Sequence, residues 1–110
     1  MASTQDTGLS QADLSAMQGV FRQFPWLQEV RLYGSRAKGN FRPNSDVDLA
    51  LIGPVPALQA QAVALALDEL PMPYLFDVQA YADIRHAPLR EHIDRVGLVL
   101  YRASEAGTAR

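Results

Sequence analysis

The sequence predicts an α/β domain in which a small mixed sheet carries helices packed on one side. Short apolar runs of strand length alternate with segments whose apolar residues recur at helical spacing. Gly and Pro residues mark the boundaries between these segments. A chain of 110 residues buries enough surface for one hydrophobic core, and a second domain does not fit. Together these observations predict a single layered domain.

Each element follows from a local signal. Ser10, with Asp13 three residues later, predicts the start of a helix whose apolar stripe runs up to Pro25. We expect a flexible N-terminus over residues 1–9, the folded domain over 10–102 and a flexible tail over 103–110. The remaining elements are predicted in chain order as strands over about 28–33 and 46–52, a helix over 57–70, a strand over 73–81, a helix from Pro88 to Gly97 and an extended segment over 98–101.

Composition limits the classes of function. The chain has no cysteine, so any bound metal must be a hard cation held by oxygen ligands. The net charge of −2 disfavours a general nucleic-acid binder, which needs clustered Lys and Arg. No apolar stretch approaches the roughly 20 residues of a membrane span, and the N-terminus lacks the features of a signal peptide. A cytoplasmic location is therefore expected.

Two carboxylates form the first half of the central motif. Asp46 and Asp48 stand at positions i and i+2 of a predicted strand, so both side chains point to one face, about 7 Å apart at Cα. Without a cation they would repel each other and destabilise the sheet. The pair is therefore more easily explained as a Mg²⁺ site than as architecture. Without the turn described next, a turn-capping role for Asp46 would be the better interpretation.

The turn at Gly34 and Ser35 forms the second half of the motif. It follows a predicted strand and precedes a short segment compatible with helix, so free backbone N–H groups can face a phosphate. Gly34 allows close approach to the backbone, and the Ser35 hydroxyl adds a donor. Arg36 and Lys38 supply positive charge, as do Arg31 and Arg42 unless these two only form a solvated basic face. A phosphate cradle beside a cation site indicates a Mg²⁺-bound nucleotide.

Other motifs are excluded or weak. A Walker loop would require Lys and Ser or Thr after Gly39, where Asn40 and Phe41 stand. An EF-hand would require Gly in place of Leu49 and Glu in place of Val55. The spacing of His86 and His92 across a proline is a poor metal-ligand pattern, and both are expected at the surface or facing the acceptor. Trp26 and Tyr33 are expected in the core, with Tyr33 the closer of the two to the pocket.

Gly34-Ser35, ten intervening residues and then Asp46-Val47-Asp48 resemble the signature of the polymerase-beta-like nucleotidyltransferase superfamily. The resemblance covers roughly residues 10–102 and implies the fold of that superfamily. It also implies a third carboxylate on a later strand, for which Asp77 is the candidate and Asp83 a weaker one. Asp77 could instead be a structural residue paired with an Arg. The brevity of the chain is similar to that of the minimal nucleotidyltransferases (MNT), which often pair with a helical HEPN protein as antitoxin and toxin.

The resemblance implies a mechanism and a partner. Asp46, Asp48 and Asp77 would hold two Mg²⁺ ions, Gly34 and Ser35 would clamp the phosphates, and Arg36 and Lys38 would offset charge on the pyrophosphate. The implied reaction transfers AMP from ATP to a tyrosine of a HEPN-type toxin in a hetero-oligomer. Two alternatives stay open at this point: a nucleotidyltransferase that acts on a small molecule, and a non-catalytic antitoxin that masks its partner.

Overall fold

A four-stranded mixed sheet forms the centre of the structure, a computed structural model that describes residues 7–56 and 58–103. Its strands are β1 (Glu29–Tyr33), β2 (Val47–Ile52), β3 (Phe76–Ala80) and β4 (Leu98–Arg102), in the spatial order β3-β2-β1-β4. β1 pairs antiparallel with β2 and with β4, whereas β2 and β3 are parallel. The mixed sheet is thus confirmed. Most of the two segments expected to be flexible, 1–9 and 103–110, lies outside the described residues.

The described part of the chain places four α-helices around the sheet: α1 (Gln11–Phe21), the single-turn α2 (Ser35–Lys38), α3 (Gln59–Asp68) and α4 (Ala87–Val96). The predicted start of α1 is confirmed, because the Ser10 side chain accepts from the Asp13 N–H and the Asp13 carboxylate accepts from the Ser10 N–H. Pro88 lies in the first turn of α4, where its missing N–H costs no hydrogen bond. No helix in the described ranges is long and apolar enough to cross a membrane.

The main core lies between one face of the sheet and helices α1 and α3. Because side chains alternate along a strand, every second residue of β1 and β2 points to this face. The buried members of this core include Met17, Phe21, Val30, Leu32, Leu49, Leu51, Val63 and Leu67. This packing agrees with the expectation of helices on one side.

Helix α4 departs from that expectation and packs on the opposite face of the sheet. Its wholly buried Ile93 joins Tyr33 of β1, Ala50 of β2 and Ile84 in a second, smaller cluster. The physical reason is the apolar stripe of α4, for which the sheet offers a small, partly apolar patch around Ala50. α4 therefore lies on the same face as the side chain of Tyr33.

Several element boundaries differ from the predictions. Asp46 lies just before β2 rather than inside it, and α3 begins at Gln59, preceded by Leu58 in the left-handed conformation (φ 71°). β3 begins at Phe76, although the Val47 N–H donates to the Leu75 carbonyl at 2.8 Å and so continues the parallel pairing by one residue. After β3 the chain enters a short 3₁₀ turn over Tyr81–Asp83.

Candidate functional site

Asp48 and Asp77 are direct neighbours in the parallel pair of β2 and β3. On its other side, Asp48 is opposite Tyr33 of β1. Residues that face each other across neighbouring strands project to the same side of a sheet, so the three side chains share one face. Asp46 is exposed two residues before Asp48, at the entrance to β2. The structure thus brings Asp48 and Asp77 together on one face, with Asp46 close by at the entrance to β2.

Burial and the crowding of negative charge both act on the carboxyl group of Asp48. Burial, followed by the charges of Asp77 and Asp46, raises the pKa of Asp48 from 3.8 to about 6. Burial, followed by the charges of Asp77 and Asp48, raises the pKa of the Tyr33 phenol to about 12. Tyr33 is therefore a neutral phenol at physiological pH, and the site beside it is strongly negative.

Gln79 is a residue of this site that the sequence motif does not indicate. It stands two residues after Asp77 on β3 and so shares its face, where its side-chain amide donates to the Tyr33 hydroxyl at 3.2 Å. The period-2 alternation counted from Asp77 is the signal that would place it there. Tyr33 and Gln79 thus form a hydrogen-bonded pair beside the carboxylates.

The carboxylate oxygens of Asp46, Asp48 and Asp77 are ligands of the kind that Mg²⁺ prefers, and the cation would bring the positive charge that these residues lack. Burial and then repulsion from Asp77 and Asp46 raise the pKa of Asp48, and a cation between Asp48 and Asp77 would offset the repulsive part. Within residues 7–56 and 58–103, no three acidic or histidine side chains are already gathered closely enough to form a ready-made metal site. Asp46 would therefore have to turn toward the other two carboxylates to complete one.

Gly34 brings the two halves of the motif into contact. Its φ of 78° and ψ of −156° fall in a region that is essentially restricted to glycine. A Cβ at this position would lie 2.3 Å from Asp48 Oδ2, well inside van der Waals contact. The turn can therefore lie directly against the Asp48 carboxylate only because residue 34 has no side chain.

The donors of this turn are in two different states. In the described part of the chain, neither the hydroxyl nor the backbone N–H of Ser35 is engaged in a hydrogen bond, so both are available to a ligand. The Gly34 N–H, by contrast, donates to His92 Nε2 at 3.2 Å. Lys38 is exposed at the end of α2. The sequence therefore locates the turn but not the residue from α4 that contacts it.

Arg36 lies elsewhere than expected. Its place beside Ser35 predicts that it faces the phosphates, but its side chain is buried, with 1% of the residue exposed. Its guanidinium donates to the carbonyl oxygens of Thr7 (2.7 Å), Pro43 (3.2 Å) and Ser45 (3.0 and 3.2 Å). The rings of Phe41 and Tyr74 lie on it, each with its centroid 5.0 Å from Cζ. The planar fork of five donors suits several carbonyls at once, which makes Arg36 a clamp on the loop before Asp46.

The other basic residues that the sequence suggests for phosphate binding differ in their surroundings. Arg31 pairs with Glu29 and lies 3.9 Å from Asp94, so its charge is already offset. Arg42 is exposed, and its backbone N–H donates to Ser45 Oγ at 2.8 Å. Of the predicted cations, Lys38 and Arg42 are therefore the ones with exposed side chains near the motif.

Fold and site define a small α/β domain in which two carboxylates, Asp48 and Asp77, lie on neighbouring strands, with Asp48 beside the Gly34 turn. The family model described as polymerase beta nucleotidyltransferase matches residues 16–106. The chain belongs to this family, which confirms the resemblance seen in the motif. None of the curated proteins matches the chain significantly.

Solved structures support the same fold. A chain of a toxin–antitoxin crystal structure with AMP-PNP superposes with a TM-score of 0.68 at 19% identity, covering 88% of this chain and 79% of that one. A chain of the tri-AMPylated Shewanella oneidensis HEPN toxin in complex with its MNT antitoxin gives 0.63 at 17% identity, covering 90% and 77%. A putative nucleotidyltransferase from Sulfolobus solfataricus gives 0.55 at 15% identity, covering 96% and 95%. At these identities the likeness shows the fold.

Proposed function

We propose that this protein is a Mg²⁺-dependent nucleotidyltransferase that transfers AMP from ATP to a tyrosine hydroxyl of a HEPN-type helical toxin, and so acts as its antitoxin. The observation that carries the proposal is the in-register pair Asp48 and Asp77, of which Asp48 lies against the Gly34 turn. Two of the structurally similar complexes support the choice of donor and acceptor, since one contains AMP-PNP and another an AMPylated HEPN toxin.

The Gly34 turn supplies the nucleotide end of the site. The free hydroxyl and N–H of Ser35 bind phosphate oxygens of ATP, and Gly34 lets those oxygens approach the backbone. Lys38, exposed on the same turn of helix, offsets charge on the departing pyrophosphate. Arg36 contributes indirectly, because it holds the loop that leads to Asp46.

The carboxylates supply the reacting end. Asp46, Asp48 and Asp77 would hold two Mg²⁺ ions, which when bound neutralise phosphate charge and lower the pKa of the acceptor hydroxyl. Asp77, which is exposed on the edge strand β3, would receive the proton of that hydroxyl. The acceptor oxygen then attacks the α-phosphorus, and pyrophosphate leaves in line.

The open side of the site supports an acceptor that belongs to another molecule. Asp46 and Asp77 are exposed, and β3 is an edge strand. Leu75, which leads into β3, is 73% exposed two residues before Asp77. An exposed leucine beside charged groups suits a protein surface better than a small polar acceptor. A partner that presents a tyrosine to this edge would complete the site.

Label transfer tests the proposal. The purified chain is incubated with Mg²⁺, ATP labelled at the α-phosphate and the helical protein encoded next to it. We expect label on the partner with unaltered protein and with Asp83→Asn, an exposed carboxylate on the 3₁₀ turn, but not with Asp77→Asn. Tight complex formation without label would favour the masking alternative instead. Label on an added aminoglycoside and none on the protein would favour a small-molecule acceptor.

A further inference from the structure

The hydrogen bond between Gly34 and His92 joins parts of the chain that are 58 residues apart in sequence. The Gly34 N–H donates, so His92 Nε2 must be unprotonated and the ring must carry its proton on Nδ1. The acceptor is thus a specific nitrogen of a neutral imidazole. Such a contact fixes the direction of the peptide N–H of Gly34.

The His92 ring is itself held in place by the core. It meets the Tyr33 ring edge-on, with centroids 6.3 Å apart and planes inclined by 80°. The next residue, Ile93, is wholly buried against Tyr33 and Ala50, which ties this turn of α4 to the sheet. The imidazole therefore reaches the turn from a rigid element.

The residue that His92 holds, Gly34, is the one at which the two halves of the site meet. Gly34 is in a conformation restricted to glycine, and a Cβ there would lie 2.3 Å from Asp48 Oδ2. Ser35, whose donors are free, follows immediately. A rotation of the peptide at Gly34 would move the Ser35 donors and remove the surface against which Asp48 packs.

We propose that His92 is a positioning residue of the nucleotide site. It acts through Gly34 to keep the Ser35 donors and the Asp48 carboxylate in fixed positions relative to each other. The inference rests on the proposed function, because it assigns His92 to the same nucleotide site. His92 does not contact the reacting atoms. Its contribution is the acceptor atom at Nε2, and any side chain that offers an acceptor in the same place can replace it.

The test measures ATP affinity by isothermal titration calorimetry with the full chain and Mg²⁺. His92→Ala should weaken ATP binding about five- to tenfold, the effect of losing one hydrogen bond that orders the site. His92→Gln should bind within about twofold of the unaltered protein, because its amide oxygen can accept from Gly34. His86→Ala is the matched control, since His86 is exposed at the start of α4 and its side chain makes no capping hydrogen bond there.

The outcomes separate this inference from the function on which it rests. If the unaltered chain binds no ATP, the proposed function fails and the inference fails with it. If the unaltered chain binds ATP and His92→Ala binds it equally well, or if His92→Gln is as impaired as His92→Ala, only the inference is overturned. A second measurement needs no variant: the nitrogen chemical shifts of His92 should show the proton on Nδ1, and a proton on Nε2 would overturn the inference.

Discussion

Replacing Asp48 by asparagine should abolish transfer and at the same time make the protein more stable in the absence of Mg²⁺. Asp48 is half-buried between Asp77 and the Gly34 turn, and Asp46 adds further negative charge. Its ionised form is therefore disfavoured in the folded protein, as its pKa of about 6 shows. An amide of the same shape removes the charge and keeps the packing.

The size of the effect follows from the pKa. A rise from 3.8 to about 6 corresponds to at most about 3 kcal/mol, which screening at a half-buried site reduces to about 1–2 kcal/mol. The folded state holds this proton more tightly than the unfolded chain. Stability from this group is therefore present below the unfolded pKa of 3.8 and is lost as the pH rises through about 6. Above that pH the loss of stability caused by the ionised Asp48 is complete and no longer changes with pH.

Urea unfolding at about pH 8 and about pH 4, without divalent ions, measures both parts of this prediction. At the higher pH the free energy of unfolding of Asp48→Asn should exceed that of the unaltered protein by about 1–2 kcal/mol. At the lower pH this difference should largely vanish. Added Mg²⁺ should stabilise the unaltered protein more than the variant, because a ligand that binds only the folded state raises its stability. Asp83→Asn should change neither value. A variant that is less stable than the unaltered protein at the higher pH would refute the reasoning.

Three further predictions concern the neighbours of Asp48. Gly34→Ala places a Cβ 2.3 Å from Asp48 Oδ2 and requires a strained φ of 78°. The variant should lose about 1–3 kcal/mol of stability in urea unfolding, and its transfer rate should fall about a hundredfold. Near-normal transfer would contradict this. Arg36→Lys loses most of the bonds to three carbonyls and should lower stability by about 2–4 kcal/mol, whereas an unchanged thermal midpoint would show that the clamp is dispensable. Asp77→Asn should lower the pKa of Asp48 in an NMR titration, since Asp77 is one cause of its rise; an unchanged value would mean that burial and Asp46 set it without Asp77.

The parts of the fold and site that the sequence predicts correctly depend on local patterns. The capping pair of Ser10 and Asp13 specifies the start of α1 without help from the rest of the chain. The apolar run after Asp46 likewise predicts strand β2 and so places Asp48 inside it, although Asp46 lies just before the strand rather than within it. Asp77 needs the family resemblance, because no local pattern shows that β3 lies beside β2 in the register that pairs it with Asp48.

The features that the sequence does not predict depend on contacts between distant residues. The place of Arg36 beside Ser35 suggests contact with phosphates, yet its position is decided by carbonyls of residues 7, 43 and 45 and by two aromatic rings. His92 reaches Gly34 only because α4 packs on the face opposite α1 and α3. A sequence pattern shows that a helix has an apolar stripe, but it does not show which side of the sheet receives that stripe.

The most direct test of the central claim is the intact mass of the partner protein after incubation with this chain, Mg²⁺ and ATP. We predict that the partner gains the mass of one AMP, or of a small number of them, and that the gain disappears with Asp48→Asn although that variant remains folded. A partner whose mass does not change in a stable complex, or a gain that persists with Asp48→Asn, would contradict the assignment of this site as the centre of nucleotidyl transfer.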